Sequence, residues 1–93
     1  MYYIYIVTNP GRTTLYTGVT NNLQRRLSEH RTNRGNPASF AGKYYCYKLL
    51  YYEQCPSANS AIAHEKEIKL MGREQKEELI KGENPQMNFL CLW

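Results

Sequence analysis

The hydrophobic positions of this chain change period as it proceeds. From Tyr2 to Thr8 nearly every residue is β-branched or aromatic, and the run stops at Asn9-Pro10-Gly11-Arg12, a strong turn signal. Thr13 to Gly18 resumes the same composition, so the opening segment predicts a β-hairpin. Side chains alternate along a strand. Tyr5 therefore shares a face with Tyr3 and Val7, Tyr16 shares one with Gly18, and the hairpin allows both phenols to point into the same space. Thr20, Asn21 and Asn22 then offer capping oxygens to a helix from Leu23 to His30, which ends before Gly35 and Pro37. Leu23 and Leu27 set its inward face, Arg26 and His30 border that face one turn apart, and Arg25 points to solvent.

Asn33 to Lys43 is polar and contains glycine, which predicts a loop. Tyr44 to Glu53 reads as the third strand, apolar on both faces and so expected at the centre of the sheet, with Pro56 ending it. Ser57 caps a helix that closes near Gly72, and Arg73 to Ile80 forms a further short helix closing at Gly82. The predicted fold is α/β (α+β), a small three-stranded, largely antiparallel sheet flanked by helices in the order β-β-α-β-α-α. The apolar tail, with Phe89, Leu90, Leu92 and Trp93, is expected to pack back on the domain or to cover a partner.

One position breaks the pattern. At about 100° per residue, Ala58, Ala61, Ile62 and Ile68 form an apolar stripe with Glu65 in its middle. A carboxylate there is either paired or put to use, because an unpaired buried charge is costly. Pairing with Lys69 or Lys66 on its own helix and a functional role such as metal binding have about equal weight on this observation alone.

Ninety-three residues give room for one domain, with a core over about residues 2–85 and the tail over 86–93. Nine Tyr against two Phe favour aromatics with a polar tip, which suit both a half-buried sheet and a polar site. Twelve Lys and Arg against eight acids leave a net charge of +4, a mild bias toward anionic partners. Arg12, Arg34, Lys43 and Lys69 are candidates for contact with nucleic-acid phosphates, while most of the remaining cations of the second half read as a solvated face. No apolar run reaches bilayer length and the N-terminus lacks a signal-peptide pattern, so a cytoplasmic protein without a membrane partner is expected. Cys46, Cys55 and Cys91 are far apart and form no C-x-x-C pair, which predicts reduced structural thiols.

Taken in order, Tyr3-Ile4-Tyr5, Leu15-Tyr16-Thr17-Gly18-Val19-Thr20-Asn21, Leu23-Gln24-Arg25-Arg26-Leu27 with His30, and Ala61-Ile62-Ala63-His64-Glu65-Lys66-Glu67-Ile68-Lys69 resemble the GIY-YIG nuclease superfamily. The likeness is greater to its small single-domain bacterial branch of UPF0213 type, and runs from Tyr2 to about Asn84. The resemblance implies a divalent-metal-dependent endonuclease that hydrolyses phosphodiester bonds in DNA, with repair or recombination as its setting and no small-molecule cofactor. It implies Tyr5, Tyr16, Arg26 and His30 as catalytic residues, Glu65 as ligand to one Mg²⁺ or Mn²⁺, and Gly18 and Asn84 as structural or substrate-positioning residues. Asn88 is an alternative for the late asparagine. Within this reading Tyr5 is the candidate general base, provided that Arg26, the metal or His30 makes its ionised form accessible. The division of roles among Tyr5, Tyr16 and His30 stays open. Tyr3 replaces the opening glycine of the first motif, Thr17 the middle residue of the second, and His64 stands where close relatives tend to have arginine. The alternatives are a non-catalytic nucleic-acid-binding module with the same fold, and a protein-interaction adaptor using Phe89 and Trp93.

Overall fold

The computed structural model of the chain describes residues 1–90; the expectations placed on Cys91, Leu92 and Trp93 lie outside them. Its elements are β1 (Tyr2–Thr8), β2 (Leu15–Thr20), α1 (Leu23–Thr32), α2 (Phe40–Lys43), β3 (Lys48–Cys55), α3 (Ala58–Leu70) and α4 (Arg73–Glu83). The sheet is antiparallel throughout, in the order β2-β1-β3.

Asn9 builds the first turn. Its side-chain oxygen accepts from the Thr13 and Thr14 amides at 2.8 and 3.1 Å, so the chain reverses around an asparagine rather than a tight two-residue loop. Arg12 takes a φ of 57° in that turn, and its carbonyl and that of Thr13 both accept from the Arg73 guanidinium at 2.6 Å. The hairpin tip is thereby held by the first residue of α4.

The central strand is β1, a correction to the expectation that the third strand would be. The physical reason lies in what covers each face. On β1, Ile4 and Ile6 meet Ala61 and Ile68 of α3 and Ile80 of α4, while Tyr5 and Val7 meet Leu23 and Leu27 of α1 on the other side. The third strand is an edge, and its far half exposes Tyr52 and Gln54. It also begins at Lys48 rather than Tyr44, because Tyr45 adopts a left-handed φ of 59° that ends any extended run there.

The segment from Asn33 to Lys43 is not a plain loop, a second correction. Ser39 caps the short helix α2 by accepting from the Gly42 amide, and Ala41 is buried against α1. A Cβ on Gly42 would lie within 2.7 Å of the carbonyl oxygens of Asn33 and Asn36, so only glycine lets α2 sit down on the end of α1. Helix α4 likewise continues through Gly82 to Glu83, with Asn84 as its C-terminal cap.

The two predicted N-caps are present: Asn22 accepts from the Arg25 amide and Ser57 from that of Ser60. A bulge between Ile6 and Val7 leaves Leu50 out of the ladder to β1, and its free carbonyl accepts from Asn84 Nδ2 at 3.0 Å. Phe89 and Leu90 pack back on the domain, Leu90 through its amide to the Leu49 carbonyl and Phe89 against the Arg12 guanidinium. Cys46 and Cys55 are buried free thiols. Among the described residues, no helix is long and apolar enough to cross a membrane.

Candidate active site

The register of the hairpin decides what meets. Tyr5 pairs with Gly18 and Val7 with Tyr16, and directly opposed residues share a face, so both tyrosines leave the sheet toward α1. There the ring of His30 lies 5.5 Å from that of Tyr5 and 5.6 Å from that of Tyr16, each edge-on. The Tyr5 ring occupies the space above Gly18. A Cβ at position 18 would stand 2.5 Å from Tyr5 Cζ and 2.9 Å from Cε1, so the phenol can lie where it does only because residue 18 has no side chain.

Tyr5 is buried, and its hydroxyl oxygen has two partners. His30 Nε2 is 2.8 Å away and Arg26 Nε is 3.2 Å away. A guanidinium only donates, so the Tyr5 oxygen accepts from Arg26 and keeps its own hydrogen for the imidazole. The arrangement that satisfies all three groups has Tyr5 donating to a neutral His30 protonated on Nδ1.

The electrostatics agree with that assignment. Burial pushes the Tyr5 phenol up to about 12; Arg26 works against this, whereas Tyr16 and Glu65 reinforce it. Burial, aided by the Arg26 charge, pushes His30 down to about 4, with Glu29 opposing. Burial disfavours the Arg26 charge, but its bonds to Tyr5 and Glu29 more than offset that, and the guanidinium is held above its usual range. At neutral pH the cluster is a neutral phenol and a neutral imidazole beside a fixed cation.

Arg26 is 36% exposed, and its Nη1 donates to Glu29 at 3.1 Å. Two of its nitrogens, Nε and Nη1, are therefore engaged by Tyr5 and Glu29, and the side chain still opens to solvent. Sequence reasoning overlooked Glu29, although its spacing of three residues from Arg26 on one helix was a usable signal. It also overlooked Phe40, which stacks on Tyr16 from α2 with centroids 6.1 Å apart; nothing in a polar stretch read as loop pointed to it.

Glu65 lies between the buried Ala61 and Ile68 on the inward side of α3 and is 18% exposed. The stripe is narrower than expected, for Ile62 is 44% exposed. Helix α3 packs across β1 and β2 on the face opposite α1, and the Glu65 charge adds a small part to the rise of the Tyr5 phenol. Lys69 lies 3.6 Å from it, one turn along, in a half-exposed pair worth a few tenths of a kcal/mol. Among the described residues no three His, Cys, Asp or Glu side chains are grouped to hold a metal ion. A lone, partly exposed carboxylate suits Mg²⁺ or Mn²⁺, which take hard oxygen ligands and draw most of them from water and phosphate; it does not suit zinc.

The other expected residues are distributed as follows. Asn84 is buried, and its side chain is occupied by the backbone of Leu50 and Asn88, with bonds of 2.8 to 3.1 Å. Asn88 contributes only backbone groups to that arrangement. Arg12 donates to the Met87 carbonyl and stacks 4.1 Å from the Phe89 ring centre. Arg34 donates to the Arg31 carbonyl and lies over Tyr47, while Lys43 lies beside the Tyr44 ring. His64 bridges Glu53 of β3 and Glu67 of its own helix at 3.1 and 3.6 Å. Arg25 faces solvent, bonded to Asn21.

A family model described as the GIY-YIG catalytic domain matches residues 1–79. A UPF0213 protein of Natronomonas pharaonis is 34% identical over 82 residues, covering 88% of this chain and 93% of the relative. One of Syntrophus aciditrophicus is 36% identical over 84 residues, covering 90% and 93%. The solution NMR structure of a UPF0213 protein from Bacillus halodurans matches with a TM-score of 0.58 at 28% identity, covering 92% of this chain and 89% of that one.

Proposed function

The chain belongs to the GIY-YIG family and so to a nuclease superfamily, and from that footing we propose that it is a divalent-metal-dependent endonuclease hydrolysing phosphodiester bonds in DNA. The observation that carries this reading is the Tyr5 hydroxyl, held between the guanidinium of Arg26 and the imidazole of His30.

Phosphodiester hydrolysis needs a place for the attacking water's proton, charge neutralisation at phosphorus and stabilisation of the departing oxygen. Tyr5 alone is a poor base, with its phenol near 12. Coupled to His30 it becomes a relay: the water's proton passes to the Tyr5 oxygen as the Tyr5 hydrogen passes to Nε2 of the neutral imidazole. A bound phosphate assists this. By pairing with Arg26 it offsets the cationic field that helps hold His30 low, and so makes the imidazole a better acceptor. Arg26 presents its solvent-facing side to the non-bridging oxygens, the planar recognition to which a guanidinium is suited. Tyr16 packs against the imidazole and orients it. Glu65 would hold the divalent ion, which would supply neutralisation of phosphate charge and acidification of the attacking water. Lys69, half-exposed beside Glu65, is placed to meet the DNA backbone.

The test is nicking of supercoiled DNA with Mg²⁺ or Mn²⁺ by wild type, Glu65→Ala and Arg26→Ala proteins of matched thermal stability. Loss of cleavage in both variants is expected. Cleavage that persists in both would end the proposal, and a wild type that binds DNA without cutting it would indicate a non-catalytic binding module.

A further inference from the structure

Beside Tyr16 the aromatic surface does not stop. Phe40, at the start of α2, lies nearly parallel to the Tyr16 ring at 26° with centroids 6.1 Å apart, and Tyr44 continues from Phe40 at 4.8 Å. Large apolar rings are normally buried, yet Phe40 is 52% exposed and Tyr44 42%. The backbone that carries these rings is anchored. Ala41 is buried, the Ala41 carbonyl accepts from the Cys46 amide at 2.8 Å, and the Gly42 carbonyl accepts from the Gly35 amide at 2.8 Å. The fold thus carries a row of rings that leads from Tyr16, at the edge of the Tyr5–His30 cluster, outward into solvent. Lys43 stands beside it, with Nζ 5.5 Å from the centre of the Tyr44 ring.

We propose that Phe40 and Tyr44 form a stacking subsite for an unpaired nucleobase of the strand whose phosphate lies at Arg26, with Lys43 meeting the adjoining backbone. The inference rests on the nuclease reading, and it adds a substrate feature to it. Each component has a physical purpose. Exposed ring faces accept any base by stacking, a neighbouring ammonium suits the phosphate next to that base, and continuity with Tyr16 sets the subsite beside the reacting phosphate. A paired base cannot use such a shelf, because its faces are already covered by its neighbours in the duplex. The occupant is therefore a base from a single strand or one turned out of a duplex.

The experiment uses the full chain carrying Glu65→Ala, in buffer with EDTA so that binding is read without cleavage. The probes are oligonucleotides with 2-aminopurine at successive positions, as a single strand and as a perfect duplex. The expected result is quenching at one or two adjacent positions of the single strand. Added Phe40→Ala should remove the quenching and weaken affinity by about five-fold to a hundred-fold, and Phe40→Trp should restore both. Quenching in the duplex as well would assign the occupant to a turned-out base, and its absence there to a single strand. Phe40→Leu keeps bulk without an aromatic face. If Leu supports binding as well as Phe, or if Phe40→Ala and Tyr44→Ala proteins bind like their parent, the subsite is refuted. Failure of the parent to bind any probe also refutes it. Cleavage by the wild-type chain is measured in parallel, so loss of the subsite and loss of the nuclease reading are told apart.

Discussion

Tyr5 and Gly18 face one another across the β1–β2 ladder, and the phenol of the first fills the space that the second leaves empty. The pairing joins a chemical group to a backbone requirement. Tyr5 reaches Arg26 and His30 only by lying flat over residue 18, so a methyl group there would displace the ring that the relay depends on.

Gly18→Ala should therefore lower cleavage more than it lowers stability. Over-packing at a buried site costs about 1–3 kcal/mol, while displacement of the Tyr5 hydroxyl from His30 and Arg26 removes the proposed relay itself. Urea unfolding and kcat/KM on one DNA substrate, measured for the same preparation, distinguish the two. Equal activity per folded molecule would mean that the hydroxyl is not needed where it stands.

His30 makes stability depend on acidity. Its pKa falls from the ordinary 6.5 to about 4 on folding, so below pH 6.5 the unfolded chain takes up a proton that the folded chain refuses. This contribution is complete above pH 6.5 and is lost progressively as the pH falls toward 4, by a total of about 3 kcal/mol. His30→Gln should lose less stability than wild type between pH 7 and pH 4.5. Parallel urea titrations with identical slopes and identical losses would contradict it.

Asn84 is expected to matter for folding rather than for chemistry. Its side chain satisfies the Leu50 carbonyl left over by the β-bulge and closes the turn to Asn88. Asn84→Ala strands these groups and should cost about 2–3 kcal/mol in urea unfolding. Cleavage per folded molecule should stay near wild type, whereas a loss beyond the unfolded fraction would assign the residue to the substrate.

Glu65 should confer metal-dependent stability. A site that binds only the folded state adds about 2.7 kcal/mol at a hundred times its Kd, a rise of roughly 10 °C or more in Tm for a domain this small. Mn²⁺ should raise the Tm of wild type, and the rise should vanish in Glu65→Gln. An equal rise in both proteins would locate the bound ion elsewhere.

What the sequence revealed about this molecule was whatever depends on local period and local caps. Alternation along the hairpin brought Tyr5 and Tyr16 to one face, Asn22 and Ser57 announced their helices, and helical spacing put Arg26 and His30 at the border of the core. What escaped it depends on contacts between distant segments. Whether β1 or β3 lies in the middle is decided by which strand receives helices on both faces, and both read as apolar. Ile62 looked inward because a wheel cannot show how wide the neighbouring sheet is. Arg12 and Arg34 carry the charge expected of phosphate contacts, yet the structure gives them carbonyls and aromatic rings that no spacing rule predicts. The shelf on α2 was hidden for a similar reason: four residues of helix, stabilised by a glycine seated on two carbonyls, carry no periodic signature of their own.

The grip of Arg73 on the hairpin tip bears on how the protein comes into being. The carbonyls of Arg12 and Thr13 wait for a guanidinium about sixty positions further along the chain. On the ribosome the first two strands emerge before α4, so they acquire this restraint only once Arg73 has followed them out. Until then the tip of the nascent hairpin lacks the two bonds that tie it to α4.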